Sequence, residues 1–319
     1  MTRPESMKRR VQRFIEYKRG LGYAWRTEGF VLRSFAEFAD KRAPREAITV
    51  ALALAWATST RKANSVYHAK RLDAVRTFAK HEAELDPRTQ VPPPGVLGPS
   101  YSRVEPYIYS PREVTSLMRT AATLSERGLR RATYVTVIGL LASTGIRIGE
   151  LLKLNDDDVD LAQSLLRVRG SKNLPLRTVP IARSTTRNLS QYKALRDERL
   201  PTVGARAFVR GRNGKRMLYT NVQRSFRRIV AASGIGQPRD SMRAPRMHDL
   251  RHTFACNHLL RAYREGRDID AAVHDLSVYL GHATLTSTYW YLTGTPMLFA
   301  ECIKRLKGRA PRSPTRGRQ

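Results

Sequence analysis

Between residues 147 and 291, the chain carries six side chains that together could break and remake a phosphodiester bond. Guanidinium groups can hold the non-bridging oxygens of a phosphate, a phenol can attack phosphorus, and imidazole or ammonium groups can move protons. None of these side chains is informative alone, but their types complement one another and need no metal ion. In chain order they are Arg147, Lys172, His248, Arg251, His282 and Tyr291.

Arg147 lies within the motif TGIRIGE, residues 144–150. Gly145 permits a backbone conformation that closes a turn between two helices, and Arg147 is then presented near a helix start, where free amides favour an anion. Glu150 lies three residues further on, so Arg147 could instead form a weak surface ion pair with it. We interpret Glu150 as a brace for Arg147 or for the turn rather than as a reacting group.

His248 and Arg251 lie three residues apart at the start of a predicted helix, so both side chains can face one site. His252 follows His248 by four residues, and such a pair could also bind zinc. However, no Glu follows His248 as in the zinc-protease helix, and the sequence offers no evident third ligand. The pattern therefore favours a site without a metal or another cofactor.

The other three candidates have equally ordinary explanations. Lys172 lies in a predicted hairpin turn, where a lysine is usually a solvated charge. His282 precedes a segment rich in small and hydroxyl side chains, which favours a tight turn that exposes a side chain. Tyr289 and Tyr291 end that segment, and either ring could pack into a core or supply a reactive phenol.

The composition favours a polyanionic partner. The 319 residues include 58 Lys and Arg against 27 Asp and Glu, a formal net charge of +31, and neutralising phosphates releases condensed counterions. Nucleic acid fits this charge best, although an RNA or an anionic lipid surface would also satisfy it. The two cysteines form no metal or disulfide pattern, and no apolar run reaches the roughly twenty residues of a membrane span. These features indicate a reduced, cytoplasmic setting.

Two domains are predicted around a proline-rich segment. Residues 1–85 carry apolar residues at helical spacing and are predicted to form four helices, the third over 48–57 and the fourth over 65–83. Residues 86–106 are rich in proline, with three prolines in succession, and are predicted to form a stiff linker. The Arg- and Pro-rich residues 307–319 are predicted to be a disordered basic tail.

The second domain, residues 107–306, is predicted to be mainly α with a small antiparallel β-sheet. Ser110 and Pro111 suit the N-cap and the first position of a helix, and residues 134–141 read as a buried helix. Residues 165–168 and 178–181 are predicted as two short strands around a turn. Three further helices carry apolar residues at three- and four-residue spacing, namely 221–232, 251–263 and 268–280.

The order and local contexts of these residues resemble the tyrosine recombinase (phage-integrase-like) family over nearly the whole chain. The resemblance implies an α+β, two-domain clamp, in which a helical core-binding (SAM-like) domain precedes a catalytic domain. The Ser-Thr-Tyr-Trp-Tyr-Leu run looks more like recombinases of transposons and other mobile elements. The matching positions are Arg147, Lys172 seven residues before Val179, the His248 and Arg251 box, His282 and the nucleophile Tyr291, with Glu150 supporting.

Membership of this family would imply cleavage and rejoining of double-stranded DNA through a 3′-phosphotyrosyl intermediate, without metal, ATP or cofactor. It would also imply synapsis of two DNA duplexes by four protomers, with related recombinases as potential partners, in the nucleoid. His248 is then the best candidate for the base and Lys172 for the acid.

Three other functions explain part of the pattern. A type IB topoisomerase uses similar chemistry, but the His248 box and the helical N-terminal module favour recombination. A DNA-binding accessory protein or regulator that has lost catalysis would not need the complete residue set. A generic RNA-binding protein explains the charge but not the ordered residues.

Overall fold

Helices dominate the computed structural model, which divides into two compact units, Met1–Val104 and Glu105–Gln319. All the described β-strands belong to the second unit. The predicted mainly α architecture with one small antiparallel sheet is confirmed. The residues that the structure describes are 5–60, 64–101, 105–123, 128–169, 176–200, 206–211, 213–236, 244–282, 284–285 and 288–289.

Four helices are described in the first unit. Side-chain oxygens of Ser6, Thr49 and Asn64 accept amides in the first turns of α1, α3 and α4, which satisfies donors that have no partner within the helix. The fourth helix has the predicted bounds, whereas the third begins two residues later than predicted because Thr49 caps it. The helices are α1 (Met7–Gly20), α2 (Arg26–Arg42), α3 (Val50–Ala57) and α4 (Ser65–Ala83).

An aromatic core joins these helices, and one buried ion pair crosses it. Phe14, Phe35, Trp56 and Phe78 are all buried in a single cluster. Glu82 of α4 is also buried, and its Oε2 accepts a hydrogen bond from Nε of Arg10 in α1. The same guanidinium donates from Nη1 to the carbonyl of Glu46 at 3.0 Å, and Arg13 Nη2 lies 3.5 Å from Glu82 Oε1.

The proline-rich residues begin on the surface of the first unit. Gln90 donates its backbone amide to the Ile48 carbonyl at 2.8 Å, and its side-chain oxygen accepts from the Val50 amide at 3.0 Å. Val91 and Leu97 pack against the core of this unit. The division between the two units falls after residue 104, close to the end of the predicted linker.

Seven helices and three strands are described in the second unit. Ser110 Oγ accepts from the Glu113 amide at 3.2 Å, so α5 begins as predicted. The helices are α5 (Pro111–Thr123), α6 (Gly128–Thr144), α7 (Ile148–Leu151), α8 (Arg183–Arg199), α9 (Tyr219–Ser233), α10 (Met247–Arg264) and α11 (Ile269–Leu280). The strands are β1 (Val159–Asp160), β2 (Leu165–Val168) and β3 (Arg177–Pro180).

The strands form an antiparallel sheet in the order β1-β2-β3. Val168 lies opposite Arg177 and Leu166 opposite Val179. The predicted strands are confirmed to within one residue, but β1 and the long helix α8 were not predicted. In α8 only Thr185, Leu189, Tyr192 and Arg196 are buried, so its sequence shows little apolar periodicity.

Helix α10 connects two cores of the second unit. Its first turn contributes Met247 and Leu250 to the main core, which α5, α6, α8, α9 and the sheet share. Further along, Leu259 of α10 packs with Leu276 and Leu280 of α11 in a separate cluster. The C-terminal end of α11 is thereby brought towards the α6–α7 turn. No described helix is both long and apolar enough to cross a membrane.

Candidate active site

The turn between α6 and α7 presents Arg147. Gly145, just after α6, has a φ of +62°, in the left-handed region that favours glycine. A Cβ there would lie 2.6 Å from a ring carbon of Phe254, so both conformation and space require glycine. Arg147 lies at a helix start, as predicted: it is the N-cap of α7 and donates its backbone amide to Glu150 Oε2 at 2.8 Å.

Two acceptors hold the Arg147 guanidinium while one edge stays open to solvent. Nη1 donates to Glu150 Oε1 at 2.9 Å, and Nη2 donates to the Gly281 carbonyl at 3.2 Å. The side chain nevertheless keeps 35% of its surface exposed. Because a guanidinium has five N–H donors, the open edge of Arg147 can donate to an anion.

Arg251 reaches the same region from α10 and is buried. Nη1 donates to the Gly145 carbonyl at 2.8 Å and Nη2 to the Leu280 carbonyl at 3.0 Å. Both acceptors lie at the C-terminal ends of helices, α6 and α11, where carbonyls lack an intrahelical partner and carry partial negative charge. Two helix ends therefore compensate the buried charge of Arg251.

Three successive carbonyls at the end of α11 accept hydrogen bonds from three different arginines. The pairs are the Tyr279 carbonyl with Arg177 Nε at 3.0 Å, the Leu280 carbonyl with Arg251 Nη2, and the Gly281 carbonyl with Arg147 Nη2. One helix end thus gathers side chains from β3, α10 and the α6–α7 turn. We call Arg147, Arg177 and Arg251 the arginine cluster.

Glu150 neutralises part of the arginine cluster. Arg177 donates to both carboxylate oxygens, from Nη1 to Oε1 at 3.1 Å and from Nη2 to Oε2 at 2.9 Å. Burial alone would raise the pKa of Glu150, but the hydrogen bonds from Arg177 and Arg147 outweigh it and lower the pKa. Glu150 is therefore an ionised brace at neutral pH, without a proton to donate.

Arg177 is a residue of this site that sequence reasoning missed. Its side chain is only 11% exposed, although it begins a short strand near the protein surface. The sequence did contain a signal, because side chains two residues apart in a strand face the same side. Val179 is buried, so Arg177 faces inward with it, and an inward arginine requires a buried partner.

His282 follows the end of α11. Its backbone amide donates to the Ser277 carbonyl at 3.0 Å, and its Nδ1 lies 2.6 Å from Thr288 Oγ1. Burial lowers the pKa of His282 to about 4, and the charges of Arg251 and Arg147 contribute. The imidazole is therefore neutral at pH 7 and offers one N–H donor.

His248 occupies the second position of α10, one turn before Arg251, as predicted. The residue is exposed to solvent, although neighbouring groups partly desolvate the imidazole. This desolvation lowers the pKa of His248, and Arg251 lowers it further against the opposite effect of Asp249. A neutral imidazole on an exposed residue can accept a proton.

The zinc alternative for His248 and His252 gains no support from the described part of the chain. The two rings cross at 88° with centroids 4.9 Å apart. No group of three or more His, Cys, Asp or Glu residues that could hold a metal ion occurs among the described residues.

Lys172 and Tyr291 lie outside the described residues, but Tyr289 is described. Its phenol is exposed and donates to Asp270 Oδ1 at 3.3 Å, and the charge of Asp270 raises the pKa of Tyr289. Asp270 belongs to the first turn of α11, roughly 15 Å along the helix from the end that holds the arginine cluster. The Tyr289 phenol therefore points away from the candidate phosphate ligands.

The sequence pattern of the phage integrase family matches residues 109–296, which is more than half of the chain and contains every candidate residue. The protein y4rB of Sinorhizobium fredii, named as an integrase/recombinase, is 37% identical over 94% of this chain and 96% of its own length. Tyrosine recombinase XerC of Chromobacterium violaceum is 31% identical over 78% of this chain and 76% of its own. The chain therefore belongs to the phage integrase family, the tyrosine-type site-specific DNA recombinases.

Solved structures of other recombinases share the fold. The XerH site-specific recombinase bound to a palindromic difH substrate aligns with a TM-score of 0.65 and 18% identity, over 93% of this chain and 84% of that chain. The Tn1549 transposon integrase in complex with transposon right end DNA aligns with a TM-score of 0.66 and 16% identity, over 93% and 99% of the two chains.

Proposed function

We propose that this protein cleaves and rejoins double-stranded DNA at specific sites through a 3′-phosphotyrosyl intermediate formed by Tyr291. The observation that carries the proposal is the arginine cluster, in which one helix end holds guanidinium groups from separate segments. Two imidazoles with lowered pKa values lie within reach of its charges. This combination suits a reaction in which a phosphate gains negative charge and protons must move.

Arg147 and Arg251 are the proposed ligands of the non-bridging oxygens. These oxygens gain charge as the attacking and leaving oxygens align on phosphorus. The carbonyls and Glu150 fix both guanidinium groups before DNA arrives, so little reorganisation is needed during the reaction. If the Thr288 hydroxyl donates to Nδ1 of His282, the ring carries its proton on Nε2 and supplies a third donor.

The remaining residues are proposed to move protons around the attacking tyrosine. A phenol has an ordinary pKa of about 10, and His248 takes its proton as the Tyr291 oxygen bonds to phosphorus. The bond from phosphorus to the 5′ oxygen breaks, and Lys172 protonates the departing oxygen. Attack by the 5′-hydroxyl of another strand reverses these steps, so the phosphodiester energy is kept and neither ATP nor a metal is required.

We further propose that the DNA belongs to a mobile element and that four protomers act together. The similarity to y4rB, a protein named as an integrase/recombinase, supports the first part. Exchange between two duplexes breaks four strands, and one nucleophilic tyrosine per chain then requires four protomers, which supports the second. The net charge of +31 suits the binding of two duplexes.

Covalent trapping on DNA tests the proposal. Nicked duplexes made from the DNA that flanks the gene lose a short fragment after cleavage, so the phosphotyrosyl adduct accumulates. We expect adducts with the wild type and with Tyr289→Phe, but none with Tyr291→Phe, which should still bind the same DNA. Adducts should also form in excess chelator.

The opposite pattern would overturn the assignment. An adduct with Tyr291→Phe but not with Tyr289→Phe would make Tyr289 the nucleophile, and cleavage restored only by added metal would exclude the metal-free mechanism. A wild type that binds DNA without any adduct would be an accessory protein. Relaxation of supercoiled DNA without a partner site would favour the topoisomerase-like alternative.

A further inference from the structure

We propose that Arg177 is a positioning residue that aims Arg147 at the scissile phosphate by holding Glu150, without touching the DNA itself. This inference rests on the proposed function, because it concerns the orientation of a proposed phosphate ligand. Arg177 would therefore control the rate of strand cleavage rather than the affinity for DNA.

The first support is the shared carboxylate. Glu150 Oε1 accepts from Arg147 Nη1 at 2.9 Å and from Arg177 Nη1 at 3.1 Å, while Oε2 accepts from Arg177 Nη2 at 2.9 Å. A carboxylate paired only with Arg147 could move together with that half-exposed side chain. The fork of Arg177 instead fixes the plane of the carboxylate, and hence the side from which Arg147 is held.

The second support is the way in which Arg177 is itself fixed. Its Nε donates to the Tyr279 carbonyl at 3.0 Å. Gly281 packs directly against the guanidinium, because a Cβ on Gly281 would lie 2.7 Å from Arg177 Nη1. Arg177 is thus held by backbone on one side and by carboxylate on the other.

The third support is the difference in exposure between the two arginines that share Glu150. The Arg147 side chain is 35% exposed and the Arg177 side chain 11%. Arg147 therefore presents the edge that an anion can reach, whereas Arg177 stands behind the carboxylate. The same fork could not be made by lysine, whose ammonium group acts as a single point of charge.

An alternative is that Arg177 acts through the hairpin. It lies opposite Val168 at the base of the β2–β3 pair, and Lys172 lies between these strands in the sequence. In that case the loss of Arg177 would impair protonation of the leaving oxygen by Lys172. It would not impair stabilisation by Arg147 of the charge on the non-bridging oxygens. A substrate without charge on the scissile phosphate distinguishes the two cases.

The experiment compares single-turnover cleavage of two trapping substrates, identical except at the scissile linkage. One carries the ordinary phosphodiester, and in the other a methylphosphonate replaces one non-bridging oxygen by a neutral methyl group. The variants are Arg177→Met and the matched control Arg167→Met. Arg167 lies on the neighbouring strand of the same hairpin, is largely exposed, and contacts Asp157 and Asp160 instead of Glu150.

We expect Arg177→Met to cleave the phosphodiester about 100-fold more slowly, because misplacement of a reacting group by about 1 Å has an effect of this size. Binding of the same DNA should change little, and the defect should shrink to a few-fold on the methylphosphonate, which is uncharged before attack and so depends less on Arg147. Arg167→Met should match the wild type on both substrates. In a Glu150→Gln background, the substitution of Arg177 should add little to the existing defect.

Several results would overturn the inference. Wild-type cleavage by Arg177→Met would remove any role for Arg177, and an equal defect on both substrates would indicate a purely structural role or action through Lys172. A loss of DNA affinity that accounts for the slower cleavage would make Arg177 a DNA ligand. If Arg177→Met does not fold, Arg177→Lys keeps the charge without the fork and should show the same dependence on substrate. If the wild type forms no adduct, the proposed function itself fails.

Discussion

Each unit of the protein places a largely buried glutamate between two arginines, and the two clusters differ in how those arginines are held and exposed. In the first unit, Glu82 and Arg10 are both enclosed, and Arg10 continues to the carbonyl of Glu46. In the second unit, Glu150 is enclosed but Arg147 keeps an exposed edge. Arg10 therefore offers no surface that a ligand could reach. Each cluster also has one exposed arginine, but Arg13 lies 3.5 Å from Glu82, whereas Arg147 is held at 2.9 Å from Glu150.

This difference separates two uses of the same ion pair. Burying two charges is unfavourable, so the Glu82–Arg10 pair need not make the first unit more stable than an apolar pair would. Its role is instead to fix how α1 meets α4. In the second unit, the same unfavourable desolvation yields cations that are oriented before any anion arrives. We therefore expect stability to depend most on Glu82 and cleavage to depend most on Glu150.

The largest effect should follow from Glu82→Gln, which leaves the buried charge of Arg10 without a counterion. The free energy of unfolding should fall by about 3 kcal/mol or more. Urea unfolding followed by tryptophan fluorescence measures this, because Trp25 and Trp56 both pack in the first unit. Arg13→Gln is the control, and loss of its half-exposed pair should change stability by less than about 1 kcal/mol. If Glu82→Gln left the free energy of unfolding unchanged but slowed cleavage, the roles assigned to the two clusters would be reversed.

The next effect should follow from Glu150→Gln and should appear in the reaction instead. A neutral amide cannot hold two guanidinium groups as the carboxylate does, so single-turnover cleavage should slow about 100-fold. This corresponds to roughly 2.7 kcal/mol in the activation free energy. Unfolding should be affected less than in Glu82→Gln, because the arginines keep their carbonyl acceptors. Equal losses of stability in both variants would remove the distinction between the clusters.

A smaller, pH-dependent effect should arise from His282, on which burial and the arginine cluster act together. Its pKa is lowered from 6.5 to about 4 in the folded protein, so between these values the unfolded chain binds the proton more readily. Stability contributed by the neutral ring is therefore complete above about pH 6.5 and is lost as the pH falls towards 4. Between pH 7 and pH 5, the Tm of His282→Gln should fall less than that of the wild type.

A control for this prediction is His274→Gln, which replaces an exposed histidine of the same unit. It should show the same pH dependence of Tm as the wild type. If His282→Gln also matches the wild type, the arginine cluster does not act on the imidazole as described.

The elements were predictable where burial follows apolar periodicity. The bounds of α4 follow from Leu72, Val75 and Phe78 recurring between charged residues, and all three are buried. Asp268 caps α11 and accepts from the amides of residues 270 and 271. Helix α8 was missed because two of its four buried side chains, Thr185 and Arg196, are polar. A helix that buries polar groups against specific partners leaves no hydrophobic repeat to detect.

Within the site, the sequence indicated the backbone positions of Arg147 and Arg251, one in a turn and one on a helix face. It did not indicate which groups accept hydrogen bonds from their side chains. Gly145 marked the turn, and the three-residue spacing of His248 and Arg251 marked one helix face. The acceptors of Arg251 are the carbonyls of residues 145 and 280, and every residue has a carbonyl, so residue types cannot identify them. Only the fold decides which carbonyls meet at this point.

The end of α11 therefore makes the length of that helix part of the site. An α-helix turns by about 100° for each residue, so one residue inserted within α11 would swing the carbonyls of Tyr279, Leu280 and Gly281 away from the arginine cluster at once. No compensating side chain could restore three backbone acceptors. The same insertion before Asp268, ahead of the cap, leaves the register of the helix unchanged. The number of residues from Asp268 to Gly281 is therefore as tightly constrained as the three arginines themselves.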